Sequence, residues 1–261
     1  MADSVLSRPG ADLAYEIAGD GPILGYSHGI FFSRAAEDEV GLLDWSPITS
    51  KHRLVRYDAR AHGRSTGSPD SEQYRWPSLA DDLIALADEV RGGEPVDWAG
   101  ESMGTGTLLW AATKAPDRFH RLILMIPPTT GPTRVAAATM YSSGADQVER
   151  DGKAAWVAGL QQVPVPEIFA DVPDYRYDAD VPEPLLPSLL RGAAAADLPP
   201  AEAIAALPHR TLILAWETDP IHPVSTAEFL VRTLPEAYLH VSSTSAGVRT
   251  WPERIAAFLE E

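Results

Sequence analysis

Along the first 130 residues, short apolar runs alternate with stretches whose apolar positions recur every three or four residues. Leu13–Ile17, Ile23–Ser27 and Arg53–Tyr57 predict strands. Ser78–Val90 (SLADDLIALADEV) has helical spacing and a serine where an N-cap belongs. Val96–Ala99 predicts another strand and Thr105–Lys114 another helix. Arg121–Ile126 (RLILMI) reads as a strand buried on both faces. This alternation implies the α/β class, with a mainly parallel central sheet and helices on both faces.

From about Gly131 the rhythm breaks. Residues 131–206 mix helical pieces, Asp146–Leu160 and Glu202–Leu207, with a proline-rich, acidic stretch. Residues 161–200 hold eight of the chain's 23 prolines. Proline lacks a donor and fixes φ, so this stretch is excluded from central sheet. The rhythm returns with strand Thr211–Trp216, helix Ser225–Leu234, strand Ala237–Ser242 and helix Trp251–Glu260. Two arrangements fit. One is a single core, residues 1–130 and 207–261, with a helical insertion at 131–206. The other is two separate domains. The first is favoured, because a lone strand at 211–216 needs the earlier sheet to pair with. No internal repeat interrupts either arrangement.

Composition narrows the class. At 45% hydrophobic and 22% charged, the chain has a globular make-up. Its length of 261 residues fits one large domain or two small ones. With 21 Lys+Arg against 37 Asp+Glu, the formal charge is −16. Such a surface repels phosphate backbones and anionic lipid, so neither nucleic acid nor membrane is an expected partner. Residues 161–190 carry six carboxylates against one arginine, which points to neutral or cationic small molecules. There is no cysteine, so disulfides, thiolate metal sites and cysteine nucleophiles are excluded. The start, Met1-Ala2-Asp3-Ser4-Val5, lacks a basic segment followed by an apolar one, and no run of about 18 apolar residues exists. A cytoplasmic protein is expected. The sequence leaves the oligomeric state open.

The sharpest chemical signal is Val96-Asp97-Trp98-Ala99-Gly100-Glu101-Ser102-Met103-Gly104, a G-x-S-x-G between a strand and a helix. The glycines allow a tight turn that lifts the serine hydroxyl above the sheet, at a helix start that favours developing negative charge. The bland alternative is a turn whose serine only caps the helix. No phosphate loop or metal cluster is visible, and Gly19-Asp20-Gly21 is a turn signal, so no cofactor is expected.

With these neighbours the chain resembles the α/β-hydrolase fold family. Pro22-Ile23-Leu24-Gly25-Tyr26-Ser27-His28-Gly29 resembles its strand ending in His-Gly. Tyr57-Asp58-Ala59-Arg60-Ala61-His62-Gly63-Arg64-Ser65 resembles its D-x-R-G-H-G-x-S turn, with Ala61 in place of a glycine. Ala80-Asp81-Asp82-Leu83 resembles the next helix, and Trp216–Pro223 (WETDPIHP) the loop carrying the triad acid. The resemblance implies Ser102 as nucleophile, Asp219 as triad acid, and Ile30 and Met103 as oxyanion-hole donors. It also implies that residues 131–206 form a cap over the site. His28, Phe31, Tyr141, Trp156 and Phe169 are the expected pocket residues, the last three equally suited to the cap's own core.

The triad base is where the chain departs from the pattern. The family places a histidine after its last strand, but Ser242–Trp251 (SSTSAGVRTW) contains none. Three anchors put the slot near Ser245, Gly247 or Val248, none of which accepts a proton at neutral pH. Of the seven histidines, His28 and His62 belong to structural motifs. His52, His120 and His209 precede strands at the far edge and read as surface residues. His240 lies inside the last strand. His222, three residues after Asp219 in a loop at the C-terminal end of a strand, is the candidate base. Its alternative is a loop histidine bonded to a backbone carbonyl. Glu101, beside Ser102, is expected to point sideways into the structure or solvent.

Three functions are therefore consistent with the sequence. The first is an esterase-like serine hydrolase with a non-standard base. The second is a degenerate relative that binds a small molecule without turnover, motivated by the empty slot. The third is non-hydrolytic chemistry, such as isomerisation, cyclisation or C–C cleavage, in the same pocket.

Overall fold

The computed structural model describes residues 4–172, 178–219 and 221–261; Asp174 and Arg176 of the acidic stretch and Pro220 of the acid loop lie outside them. Among the described residues, eight strands form one sheet in the order β1-β2-β4-β3-β5-β6-β7-β8. They are β1 (Ser4–Arg8), β2 (Ala11–Ala18), β3 (Ile23–Ser27), β4 (Arg53–Tyr57), β5 (Val96–Glu101), β6 (Phe119–Met125), β7 (Arg210–Trp216) and β8 (Ala237–Ser242). The pairs β1/β2 and β2/β4 are antiparallel; every pair from β4 onward in the sheet is parallel.

Helices α1 (Arg34–Val40) and α2 (Ser46–Thr49) follow β3, α3 (Trp76–Val90) follows β4 and α4 (Met103–Lys114) follows β5. Helices α5 (Arg134–Asp151), α6 (Lys153–Leu160), α7 (Leu186–Ala194) and α8 (Ala201–Ala205) lie between β6 and β7. Helix α9 (Val224–Thr233) joins β7 to β8, and α10 (Ser245–Arg249) and α11 (Trp251–Glu260) complete the chain. No helix among the described residues is long and apolar enough to cross a membrane.

The unbroken apolar run of β6 follows from two covered faces. Leu122 and Leu124 join one core with Trp98, Leu83 and Leu86 of α3, and Leu108 and Leu109 of α4. Ile123 and Met125 point the other way, into a core with Leu24, Leu214, and Trp251, Ile255 and Phe258 of α11. Burying a side chain of this size contributes about 1.5–3 kcal/mol.

The segment between β6 and β7 differs from expectation in its boundaries. The helix expected over Asp146–Leu160 is two helices, broken at Gly152, whose φ of 87° suits glycine. The first begins at Arg134, and α5 packs along α7 through Tyr141, Ala145, Leu186 and Leu190, all in the first core. Strand β7 pairs with β6 and β8 in the main sheet.

Candidate active site

Ser102 sits at the crossing between β5 and α4, with φ 50° and ψ −106°. A non-glycine residue held there stores backbone strain of about 1–3 kcal/mol, which the surroundings must hold in place. They do so through hydrogen bonds and packing. Ser102 N donates to Met125 O at 3.0 Å. The Thr105 hydroxyl lies 2.6 Å from Gly100 O and 2.8 Å from Met125 O, tying α4 to β5 and β6. A Cβ on Gly104 would meet Ser27 O at 2.2 Å, and one on Gly100 would meet Gly104 O at 2.4 Å. The two motif glycines therefore let helix and strands approach backbone to backbone.

Loop 217–223 brings the other groups to this point. Glu217 N donates to Ser242 O at 2.9 Å, and Thr218 turns the chain back at φ 60°. Asp219 Oδ1 accepts the backbone N–H groups of Ile221 and His222, each at 2.8 Å. Its Oδ2 lies 3.1 Å from His222 Nδ1, and His222 Nε2 lies 2.7 Å from Ser102 Oγ. Ser102, His222 and Asp219 thus form one hydrogen-bonded chain. Burial alone would raise the Asp219 carboxyl. The bond and charge of the His222 ring and the two backbone donors outweigh it, and hold Asp219 below the usual range.

The window after β8 is filled by packing. Thr244 caps α10 by accepting from Gly247 N, and Ser245 donates to Asp171 Oδ2 at 2.8 Å. Val248 is buried, and Trp251 donates from Nε1 to Ser242 Oγ at 3.0 Å. His240, half-buried, has its Nε2 3.2 Å from Ser242 Oγ. His52 and His209 are a correction: they are 6% and 4% exposed, not surface residues. His209 donates from Nε2 to Pro116 O, an anchor that the residue's place before a strand did not reveal. His120 is exposed.

Beside Ser102 lies a cavity of ≈ 550 Å³, part of it open to solvent. Ile30, Phe31, Ile126, Tyr141, Trp216 and His222 are among its walls. Met103 opens α4, where first-turn N–H groups lack helical acceptors, and Ile30 stands across the cavity on the loop after β3. Of the expected pocket residues, Phe31 and Tyr141 line this cavity; His28, Trp156 and Phe169 do not. Trp156 packs behind Phe31, edge to face at 5.4 Å. Phe169 is fully buried against Trp216, ring centroids 4.8 Å apart.

His28 is buried beneath the loop. It donates from Nδ1 to Gly29 O at 2.7 Å and accepts Ala59 N–H at Nε2, at 2.9 Å. His62 donates from Nε2 to Ile30 O at 2.8 Å. The two rings fasten the loop carrying Ile30 to the turn after β4. Asp58 completes the fastening by accepting from Arg34 and the backbone of Arg64. Ala61, where the resemblance expects glycine, holds a φ of 68°. Such a conformation costs an L-residue about 1–2 kcal/mol.

Burial, with His62 alongside, lowers His28 from 6.5 to about 3. Its folded value lies below its unfolded one, so between the two only the unfolded chain takes up the proton. Stability contributed by His28 is therefore present above the unfolded value and declines as pH falls, by about 1.4 kcal/mol per pH unit. A His28→Gln variant is expected to show a shallower decline in urea-unfolding free energy between roughly pH 6.5 and 4.5. Equal slopes would mean that His28 is charged in the fold.

Glu101 points into the structure. Its Oε2 and Oε1 of Glu37 both lie 2.7 Å from the Tyr26 hydroxyl. Sequence reasoning had no means of finding this partner set, because Glu37 belongs to a short helix that the apolar pattern does not mark. Among the described residues, no group of three or more acidic or imidazole side chains is arranged to hold a metal ion.

Comparison with known proteins agrees with this architecture. The sequence model of the alpha/beta hydrolase family matches residues 24–253. The chain is 27% identical over 240 residues to 3-oxoadipate enol-lactonase 1 of Acinetobacter baylyi, covering 87% of this chain and 83% of that protein. Among solved structures, a hydrolase from Pseudomonas aeruginosa superposes with a TM-score of 0.80 at 22% identity, covering 98% of this chain and 96% of that one. An enol-lactonase from Burkholderia xenovorans gives 0.76 at 19% identity, with 99% and 100% covered. The structural likenesses establish the shared fold. The elbow, the fastened loop after β3 and the acid loop all fall within the matched span, and the chain belongs to the alpha/beta hydrolase family.

Proposed function

We propose that this chain is a serine hydrolase of small-molecule esters or lactones, with its general base on the loop after β7. Ser102 is the nucleophile, His222 the base, and Asp219 the carboxylate that orients it. The observation that carries the reading is the 2.7 Å contact from Ser102 Oγ to His222 Nε2, continued to Asp219 at 3.1 Å. The empty slot after β8 motivated the reading as a degenerate binding protein, and this contact supports turnover in its place.

In this reading Ser102 Oγ attacks the substrate carbonyl carbon while its proton passes to His222 Nε2. The oxyanion is held by the N–H groups of Ile30 and Met103, and each such donor is worth about 2.7–4 kcal/mol in the transition state. His222 then returns the proton to the leaving oxygen as the acyl–Ser102 ester forms. A water molecule attacks that ester and gives a proton to His222, which passes it to Ser102 Oγ as the acid leaves and free Ser102 is restored. Residues 131–206 act as the cap, with Met140 and Tyr141 over the cavity. The relative named an enol-lactonase supports a lactone or ester carbonyl as the reacting group. A cytoplasmic setting, with no nucleic-acid or membrane partner, completes the proposal.

A fluorophosphonate probe is expected to label the parent chain at Ser102, shown by peptide mass spectrometry. The Ser102→Ala variant is expected to take no label and to turn over no ester. A parent chain left unlabelled by the probe, or esterase activity surviving Ser102→Ala, would overturn the proposal.

A further inference from the structure

A second cavity of ≈ 510 Å³ shares the wall of Phe32, Glu101 and Trp216 with the one beside Ser102. Its lining joins Trp45 and Trp216 to the aliphatic chains of Val40 and Leu43, with Glu37 and Glu101 as acidic groups. Asp38, a third carboxylate in the wall, is occupied by Arg56 at 2.6 Å.

Proton counting bounds the charge of this chamber. Tyr26 has one hydroxyl proton and two carboxyl oxygens at 2.7 Å. It donates to one, and the other must be a carboxylic acid donating to the tyrosine oxygen. The Glu37–Tyr26–Glu101 array therefore holds at least one proton beyond the tyrosine's own and at most one negative charge. Burial, followed by the influence of nearby carboxylates, raises Glu37; burial is also the leading cause that raises Glu101. Two buried polar atoms of the walls have no partner among the described residues: Glu37 Oε2 and the indole Nε1 of Trp216, a residue only 6% exposed. An indole N–H takes an acceptor, such as an ester oxygen. A carboxyl oxygen in an aromatic chamber takes a cationic donor.

We propose that this second cavity binds an alkylammonium arm of the substrate, between the Trp45 and Trp216 rings and the Glu37–Tyr26–Glu101 array. The inference rests on the hydrolase reading and names its substrate class: esters carrying a protonated amine a few carbons from the ester, with carboxylate-bearing esters disfavoured. Aromatic faces and a carboxyl pair both favour a cation, while the aliphatic wall accepts its alkyl groups.

Matched esters test it. Dimethylaminoethyl acetate and isoamyl acetate have the same shape and differ in charge. A second pair carries the amine, or its carbon counterpart, on the acyl side of a methyl ester. In at least one pair the parent chain is expected to show a KM about tenfold lower for the amine, the size of a desolvated cation–aromatic contact. Glu37→Gln is expected to bring that KM ratio close to one. Leu43→Trp, which fills the cavity from its rim, is expected to raise KM for the amine ester more than for methyl acetate. It also serves if Glu37→Gln does not fold. Equal KM values in both pairs, or a ratio that survives both substitutions, would overturn the inference.

Calorimetric titration of the Ser102→Ala protein with triethylammonium chloride separates the two proposals. Cation binding by a chain whose parent hydrolyses no ester would defeat the hydrolase reading and leave the site. Hydrolysis without charge discrimination would defeat the site and leave the hydrolase reading.

Discussion

A His222→Ala protein is expected to lose about four to six orders of magnitude in kcat/KM on any ester the parent chain turns over. Ser102 would retain its strained position, because that position is set by β5, α4 and the bond from its N–H to Met125 O. It would lose its proton acceptor. Asp219 would still receive the backbone N–H groups of residues 221 and 222, so the loop has reason to stay in place. The unfolding midpoint should accordingly move little. Added imidazole is expected to recover part of the rate, since the substitution vacates a ring-sized space beside Ser102. His240→Ala is expected to leave turnover within about twofold, because this half-buried ring bonds to Ser242 Oγ and not to Ser102 or His222. If activity survives His222→Ala and disappears in His240→Ala, the base comes from β8 and the proposed mechanism fails.

The largest stability effect is expected at Gly104. Gly104→Ala should destabilise the fold by about 3 kcal/mol or more, at or above the upper end of what core overpacking typically costs. The added Cβ would stand 2.2 Å from Ser27 O and 2.9 Å from Ser27 Cβ. The obstructing atoms belong mainly to the backbone of β3, itself bonded on both sides by β4 and β5, so they have no direction in which to yield. Gly92→Ala provides the contrast. Gly92, unlike the helical Gly104, has a positive φ, 61°, and nothing lies within 4 Å of its Cβ position. Only backbone conformation is at stake there, so about 1 kcal/mol is expected. Urea unfolding of both variants decides the matter. If they cost the same, close helix–strand packing is not the reason for the second motif glycine.

The parts of the fold that were legible are those whose burial pattern is local. Strands β6 and β7 read clearly because both faces are covered along most of their length, which makes the runs Leu122–Met125 and Leu212–Trp216 apolar, and β4 reads from its buried Leu54, Val55 and Tyr57 despite two arginines. Helices α3 and α9 read clearly because each has one apolar stripe, although α3 starts at Trp76 and the expected cap serine, Ser78, lies inside its first turn. Strand β1 was not legible: it lies at the sheet edge, and its residues SVLSR are largely exposed. The first half of α5 escaped because its run of alanine, threonine and serine has no strong periodicity. Helix α7 begins amid prolines that suggested irregular chain, yet proline suits the first turn of a helix.

In the site the same distinction holds. Ser102 announces itself by glycines two positions away on either side, and Asp219 by its loop. Phe169 and Trp156 carry no such marker, and their aromatic character suits a core as well as a pocket; the fold placed both in a second row. Glu101 could only be ranked beside Ser102, since its partner Tyr26 lies 75 residues away in the chain.

The order of amino acids by itself determined the α/β class, the elbow around Ser102 and the absence of a histidine after β8. Each of these is a matter of local pattern, backbone freedom or residue identity. Only the tertiary structure decided which histidine meets Ser102. That contact spans 120 residues of chain and follows the turn at Thr218, φ 60°, that leads into Asp219. It also decided that Glu37 and Glu101 meet at the Tyr26 hydroxyl beside the site, because α1, β3 and β5 must pack before their carboxyl and hydroxyl oxygens can come together.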